Sequence, residues 1–478
     1  MKKTYVFLLI LLVLAVGSVG MIGSIVYEQR DDVTIKEVVV YGDKSAAEGI
    51  TVVNKIHMKN HLFWETTYRV GEEPLCETNY MFVAKGEEKE PEHVYAGINV
   101  NDDVRYYYPS NQSSQSEMQK EFGILYRSLK KGEVKSKKLY IKDYYDYYPV
   151  RMMIDLPNTV WVNNDPETEV GENPFDPKYV QDKFQKFFKI PVLESDYVQI
   201  RVSRAEDSPN SNMAYAEERS SEPNFYQIGS VSTYTDDICY FAINNKSMKY
   251  EYSYERYDRV PTEGEYVDTS LIPGGYGIYS FSYGRGAGEY HTGIDADSLQ
   301  MVFSLEEDVS VKHMMIRENQ TQLVLLTEED EGAFVRVIDL ASMKELQMIR
   351  LDDTLYNRFG DYARIFEYED FLAIVYAENI AVISCVNGVY EHEFTVLAQA
   401  NERCYFPATY NIFQTAMDFD GEKLVVAGMQ GGQFVSSNCD YCLIVYDASG
   451  LLYYGEYRTG MGQLECDASG IDTYCVNW

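Results

Sequence analysis

An all-β fold behind one apolar N-terminal helix is what this sequence predicts, and three observations carry it. The run Thr4–Tyr27 is uncharged and mostly apolar, between Lys2-Lys3 and Glu28-Gln29-Arg30-Asp31-Asp32. Tyrosine is over-used: 43 Tyr stand against 21 Phe and 3 Trp in 478 residues. Such rings fit half-buried strands, with the body in the core and the hydroxyl wet. Strand-like segments then recur in sets of four through the C-terminal third, each set spanning about 40–50 residues.

The helix comes first. As a helix the run reaches about 36 Å, more than the roughly 30 Å of a hydrocarbon core. Two readings compete. Lys2 and Lys3 could open a cleaved signal peptide, with Tyr5–Val16 as its apolar region and Ala15-Val16-Gly17 as the cleavage site. Against cleavage, the run continues through Val19, Met21, Ile22, Ile25 and Val26, beyond the about 7–15 residues a signal peptide needs. Gly17, Gly20 and Gly23 form a small-residue stripe of the kind found on membrane helices. The expectation is therefore a signal-anchor: a cytoplasmic stub over 1–4, a span over 5–27, a juxtamembrane linker over 28–44 and an extracytoplasmic domain over 45–478. Lysines before the span and carboxylates after it keep the N-terminus inside. Secretion after cleavage is the alternative.

Composition narrows the function classes. Lys+Arg 42 against Asp+Glu 75 give a net charge of −33, which disfavours nucleic acid and anionic membrane surfaces as partners. Hydrophobic content of 45% and charged content of 24% are those of a folded globular chain. The cysteines are Cys76, Cys239, Cys385, Cys404, Cys439, Cys442, Cys466 and Cys475. Outside the cytoplasm they suit disulfides or core thiols. Cys439 and Cys442 have the CxxC spacing, but Cys442 opens the strand-like run Cys442-Leu-Ile-Val-Tyr446 rather than a helix, which argues against a redox motif.

The repeats follow. Val309–Ile316, Gln322–Thr327, Ala333–Leu340 and Lys344–Leu351 read as one set of strands. Tyr362–Tyr368, Phe371–Ala377, Asn379–Cys385 and Gly388–Leu397 read as a second, and Ile412–Phe419, Lys423–Met429, Tyr441–Asp447 and Leu451–Arg458 as a third. Asp and Ser at the hairpins after Val337-Ile-Asp339 and Val445-Tyr-Asp447 can bond the turn backbone. Leu323-Val-Leu-Leu326 and Leu424-Val-Val-Ala427 are apolar on every residue, as strands buried on both faces are. This is the pattern of four-stranded propeller blades, clearest over 309–351, 362–397 and 412–458. Seven or eight blades are expected over 45–478, with the last strand tucked into a blade begun near the N-terminus.

The N-terminal half is less regular. Ile50–His57, Leu62–Arg69, Asn79–Ala84, His93–Val100 and Leu139–Ile141 look like strands. So do Tyr197–Val202, Ile238–Ile243, Tyr250–Tyr257, Gly277–Tyr283 and Leu299–Leu305. One helix is expected: Asp176 as N-cap, Pro177 in the first turn, Val180, Phe184, Phe187 and Phe188 on one face, Pro191 as the stop. The organisation resembles the membrane-anchored extracytoplasmic β-propeller-like proteins of Gram-positive bacteria, over the anchor and the last ~170 residues. No repeated Trp-Asp or comparable signature accompanies the pattern, so the resemblance brings no functional residues with it.

Catalytic constellations are sparse. There is no Gly-x-Ser-x-Gly elbow, and Ser128-Leu-Lys-Lys131 lacks the companions of a Ser-x-x-Lys enzyme. Of six His, His57 and His61 stand four apart in a strand–turn–strand context, where that spacing makes no zinc site. Gly284–Gly288 reads as a hairpin loop and Asp418–Glu422 as a tight turn without the remaining ligands of a calcium loop. No catalytic residue, metal or cofactor is expected.

Two aromatic clusters are candidate ligand-binding residues: Tyr144, Tyr145, Tyr147 and Tyr148, and Tyr106, Tyr107 and Tyr108. Exposed tyrosines stack on sugars and peptide side chains. The one basic run, Lys130, Lys131, Lys135, Lys137, Lys138 and Lys142, lies beside the first. The reading is a non-enzymatic anchored propeller that binds a protein, peptide or carbohydrate outside the membrane. A carbohydrate- or peptide-active propeller enzyme and an accessory or sensory subunit of a membrane complex are the alternatives.

Overall fold

The computed structural model describes residues 2–28, 33–58, 62–71, 76–81, 95–100, 120–121, 124–125, 127–156, 176–203, 221–224, 230–246, 249–253, 258–262, 266–284, 292–351, 363–376, 379–401, 404–405, 415–429, 441–461 and 470–478. Strands dominate, behind one N-terminal α-helix, Lys2–Glu28. Within it, Thr4–Ile25 is long and apolar enough to cross a membrane, and none of that stretch is buried by the rest of the chain. A soluble domain would not leave Phe7, Leu9, Val13 and Met21 open to water. Lipid or a processing machinery is their natural surrounding.

Contacts divide the chain into two compact units: Met1–Glu90 with Leu351–Trp478, and Pro91–Arg350.

The first unit joins both ends of the chain. Thr51–Met58 pairs on one side with Leu62–Arg69 and on the other with the C-terminal strand Gly470–Asn477, in register from Thr51 opposite Asn477 to His57 opposite Gly470. Cys76–Met81 completes this four-stranded sheet. The expected docking of the last strand beside the first ones is thus observed as a pairing. The C-terminal residue adds to it: the Trp478 N–H donates to Asp418 Oδ2 at 2.9 Å.

A second sheet has five strands, in the order Val33–Gly42, Gly450–Met461, Tyr441–Asp447, Leu424–Met429, Thr415–Phe419. Its first strand corrects the sequence reading, which made 28–44 a linker. Val33, Ile35, Val39 and Val40 are β-branched and pair with the edge of Gly450–Met461. The register slips between Glu37 and Val39. At the strand's end Gly42 has φ +79°, and a Cβ there would lie 2.1 Å from the Leu452 oxygen, so only glycine fits.

The strands apolar on every residue have a physical explanation in this unit. Leu424, Val426, Cys442, Ile444, Tyr446 and Tyr454 enter a core with Phe371, Val375, Val382 and Phe394. Val425, Ala427, Leu443, Val445, Tyr453 and Tyr457 enter a second core with Val52, Val70 and Val476. Side chains alternate faces along a strand, so a strand between two cores needs apolar residues at both parities. The third sheet, Ala363–Glu367, Phe371–Tyr376, Asn379–Val386 and Val389–Leu397, faces the first of these cores.

The second unit holds the set expected at 309–351, realised as Ser310–Ile316, Gln322–Glu329, Gly332–Asp339 and Lys344–Arg350. The anticipated turn chemistry is present: Asp339 Oδ2 accepts the Ser342 N–H at 2.8 Å and its hydroxyl at 2.5 Å. In the first unit Asp447 does the same for Ser449, at 2.8 and 2.6 Å. A second four-stranded sheet in this unit runs Ser230–Tyr234, Ile238–Ile243, Gly277–Tyr283, Ile294–Ser304. A three-stranded sheet runs Val134–Tyr140, Tyr197–Ser203, Ser221–Asn224. Tyr95–Val100 pairs with Val150–Asp155, and Lys249–Ser253 with Asp258–Thr262.

The predicted helix forms over Pro177–Phe187, with the Asp176 carboxylate accepting the Lys178 N–H at 2.9 Å. Its apolar face closes the core of this unit. Phe184 and Phe188 meet Phe241 with ring centroids 6.3 and 5.8 Å away, and Tyr279 stands edge-on to Phe188 at 5.0 Å. Offset and edge-to-face contacts are the favoured geometries for such rings.

Candidate binding surface

The segment after Tyr140 is held from two sides. Ile141–Asp143 forms a 3₁₀ turn, with the Tyr144 and Tyr145 N–H groups bonded to the Ile141 carbonyl at 3.0 Å. From the helix, Gln185 accepts the Val150 N–H at 2.7 Å and donates to the Tyr148 carbonyl at 3.2 Å, while Gln181 donates to the Val150 carbonyl. Two glutamines four residues apart lie on one helix face, so together they clamp an extended strand. Opposite, the Tyr148 N–H bonds the Ile190 carbonyl at 2.9 Å and Tyr147 bridges Pro191.

This clamping distributes the candidate tyrosines unequally. Tyr148 is wholly buried, and its hydroxyl donates to Asp196 Oδ2. Asp196, itself buried, also accepts the Leu193 N–H at 3.0 Å. Tyr148 is therefore a core residue, and its ring faces no open surface. Tyr144 and Tyr145 pack half-buried against the core, and burial pushes the Tyr144 phenol above its ordinary range. Tyr147 alone of the four is open, 38% exposed, with the Lys189 ammonium 5.8 Å from its ring centre. Tyr106, Tyr107 and Tyr108 lie outside the described residues.

A neighbouring group was not singled out by sequence reasoning. Tyr140 is 44% exposed and meets Tyr197, its partner across the strand pair, edge-to-face at 6.1 Å and 64°. Lys138 places its ammonium 3.9 Å from the centre of the Tyr197 ring. The geometry follows from strand alternation. Leu139 points into the core, so Lys138 and Tyr140 point away from it. Tyr197 lies diagonally opposite Lys138, within reach of a long side chain.

The basic run covers the turn before this edge strand, the strand itself and the 3₁₀ turn after it. Lys135 pairs with Glu133 at 3.2 Å, Lys137 with Glu121 at 2.5 Å and Lys142 with Asp146 at 3.5 Å. The bond to Glu121 raises the Lys137 pKa, although solvent screening leaves such exposed pairs weak.

Cys442 and the Asp418–Glu422 turn hold structural places. His57 lies on the strand Thr51–Met58, which pairs antiparallel with Leu62–Arg69. His61 and Cys439 lie outside the described residues. Cys442 is buried in its strand with Sγ 3.6 Å from the Gly428 carbonyl, and burial pushes the Cys239 thiol far up. Raised thiols are poor nucleophiles at neutral pH. Asp420 accepts the Glu422 and Lys423 N–H groups at 2.8 and 2.6 Å, which makes Asp418–Glu422 the tight turn expected. No cluster of metal-ligating side chains occurs among the described residues.

No family model and no curated protein matches the chain. Among solved structures it is similar to a protein from Lactobacillus plantarum, at 12% identity over 57% of this chain and 84% of that one, with a TM-score of 0.24. It is similar to Porphyromonas gingivalis dipeptidyl peptidase 4 at 10% identity, over 90% of this chain and 61% of that one, with a TM-score of 0.21. Kluyveromyces lactis Hsv2 is similar at 10% identity over 43% and 61%, with a TM-score of 0.18. These overlaps are too loose to carry an architecture or an activity across.

Proposed function

We propose that this chain is a membrane-anchored, extracytoplasmic binding protein whose sheets are blades of a β-propeller. The observation that carries the anchor is the unburied apolar helix Thr4–Ile25, followed after Glu28 by only residues 29–32 before the strand Val33–Gly42. The five steps of chain from Glu28 to Val33 span roughly 18 Å at most, so this strand is tied close to whatever surface holds the helix. Lysines at 2 and 3 and carboxylates at 28, 31 and 32 favour an N-terminus inside and both units outside. The propeller reading draws support from successive four- and five-stranded antiparallel sheets and from the pairing of Gly470–Asn477 with Thr51–Met58. Binding is favoured over catalysis by the exposed Tyr140 ring, which meets Tyr197 beside the Lys138 ammonium, and by the exposed Tyr147 ring beside Lys189.

Fractionation with N-terminal sequencing tests the anchor. The chain is expected in the membrane fraction after an alkaline wash, with residues 5–27 retained and the bulk digested by protease added outside. A mature chain beginning at residue 18 in the medium would overturn anchoring and leave a secreted binder.

A further inference from the structure

We infer that the outward face of the three-stranded sheet Val134–Tyr140, Tyr197–Ser203, Ser221–Asn224 is a site for an acidic glycan. Tyr140 is its ring platform and Lys138 its charge partner. The inference rests on the binding-protein reading above and names the ligand class for it.

Three features of the face select that chemistry. The Tyr140 ring is fixed by its edge-to-face contact with Tyr197 yet stays 44% exposed, so an apolar face of a sugar ring can stack on it without first ordering the side chain. Beside it the Lys138 ammonium is held over an aromatic ring at 3.9 Å, whereas Lys135, Lys137 and Lys142 are matched to carboxylates. A cation whose described partner is a π-face keeps its charge available to an anion. The register then puts Lys138, Tyr140 and Tyr197 on one face of the sheet, so charge and ring are presented to the same ligand.

Charge complementarity excludes simpler occupants. The chain carries −33, yet residues 130–142 hold six lysines against one glutamate. A neutral glycan would use the tyrosine and leave the lysine unspent. A polyphosphate would use the lysine and leave the tyrosine unspent. A sugar ring bearing a carboxylate uses both.

The test is titration of the full chain in detergent micelles with oligogalacturonate, maltoheptaose, inorganic polyphosphate, and phosphatidylglycerol or phosphatidylcholine vesicles. Oligogalacturonate is expected to bind, more weakly as salt rises, and more tightly than maltoheptaose. Lys138→Gln should weaken it roughly tenfold and flatten the salt dependence. Tyr140→Ala should weaken it by about as much while keeping the salt dependence, and Tyr140→Phe should restore binding. Both side chains are exposed, so circular dichroism should not change. The inference is overturned if oligogalacturonate does not bind, if Tyr140→Ala binds it like the parent, or if polyphosphate or anionic vesicles bind as tightly. Failure of oligogalacturonate with the chain still in the membrane fraction sinks the ligand class alone. Release of the chain into the medium sinks the anchored reading whatever it binds.

Discussion

Tyrosine serves two opposite purposes in this molecule. In the first unit, Tyr441, Tyr453, Tyr454 and Tyr457 are wholly or almost wholly buried. Tyr441 and Tyr457 stack at 5.0 Å and 8°, the Tyr453 and Tyr457 hydroxyls bond at 2.6 Å, and Tyr453 also donates to Glu37 at 2.7 Å. Glu37 pairs in turn with Lys44, so the register slip after Glu37 lies where its strand meets this network. Burial pushes the Tyr453 and Tyr457 phenols far above their usual range. In the second unit, Tyr140 and Tyr147 expose their rings and have cations or other rings beside them. A buried tyrosine is specified by its hydroxyl's partner, and an open one by what its ring can still touch. Composition counts both alike.

Truncation should separate the two classes most sharply. Tyr457→Ala removes a stacked ring and a buried hydroxyl partner, and should cost about 3–5 kcal/mol. Tyr140→Ala should stay within about 0.5 kcal/mol. Native-state hydrogen exchange reads both locally, at the amides of Tyr441–Asp447 and of Val134–Tyr140. Equal costs at the two sites would break the distinction.

Within one short segment the same contrast recurs. Tyr148→Phe keeps the packed ring but leaves Asp196 Oδ2 without that hydroxyl. The expected loss is about 1–3 kcal/mol, the cost of a buried acceptor deprived of a donor. Tyr147→Phe, one residue away, should leave stability unchanged. A neutral Tyr148→Phe would show that the Tyr148–Asp196 bond is not the constraint that fixes this corner.

The sequence carried some of this and not the rest, for identifiable reasons. The sets at 309–351, 362–397 and 412–458 were legible because their strands lie in packed sheets and so read as apolar runs, bounded in the first and third by Asp-Ser turns. The helix was legible because Asp176, Pro177 and a Phe stripe agree. Val33–Gly42 was missed because Lys36 and Glu37 interrupt its β-branched residues, as suits an edge strand with one polar side. Val134–Tyr140 was foreseen only at its end, since four of its seven residues are lysine or serine and a mostly solvated strand has little hydrophobic alternation to read. Of the tyrosines singled out from the sequence, Tyr148 is buried and Tyr147 is open, a difference composition does not record. Sequence shows where rings cluster, but the Gln181 and Gln185 clamp and the strand register decide which ring is open.

Tyr179 is the intermediate case, and pH tests it with the smallest effect. Its ring is half-buried beside Lys183, whose ammonium lies 4.9 Å from the ring centre, and its hydroxyl donates to Asp297 Oδ1 at 2.8 Å. Lys183 reaches the same carboxylate at 2.6 Å. The Lys183 bond first, and the Tyr179 bond second, hold the Asp297 carboxyl below its ordinary value. A lowered carboxylate contributes stability that is present above its unfolded pKa, about 3.9, and disappears as pH falls through the folded one. Asp297→Asn should therefore lower helix protection at pH 6, and the difference from the parent should shrink as pH falls below the unfolded carboxylate's value. Tyr179→Phe should show the same pH dependence with a smaller amplitude, because the lysine remains. A Tyr179→Phe effect as large as Asp297→Asn, and flat with pH, would move Tyr179 into the class whose packing, not its hydroxyl, does the work.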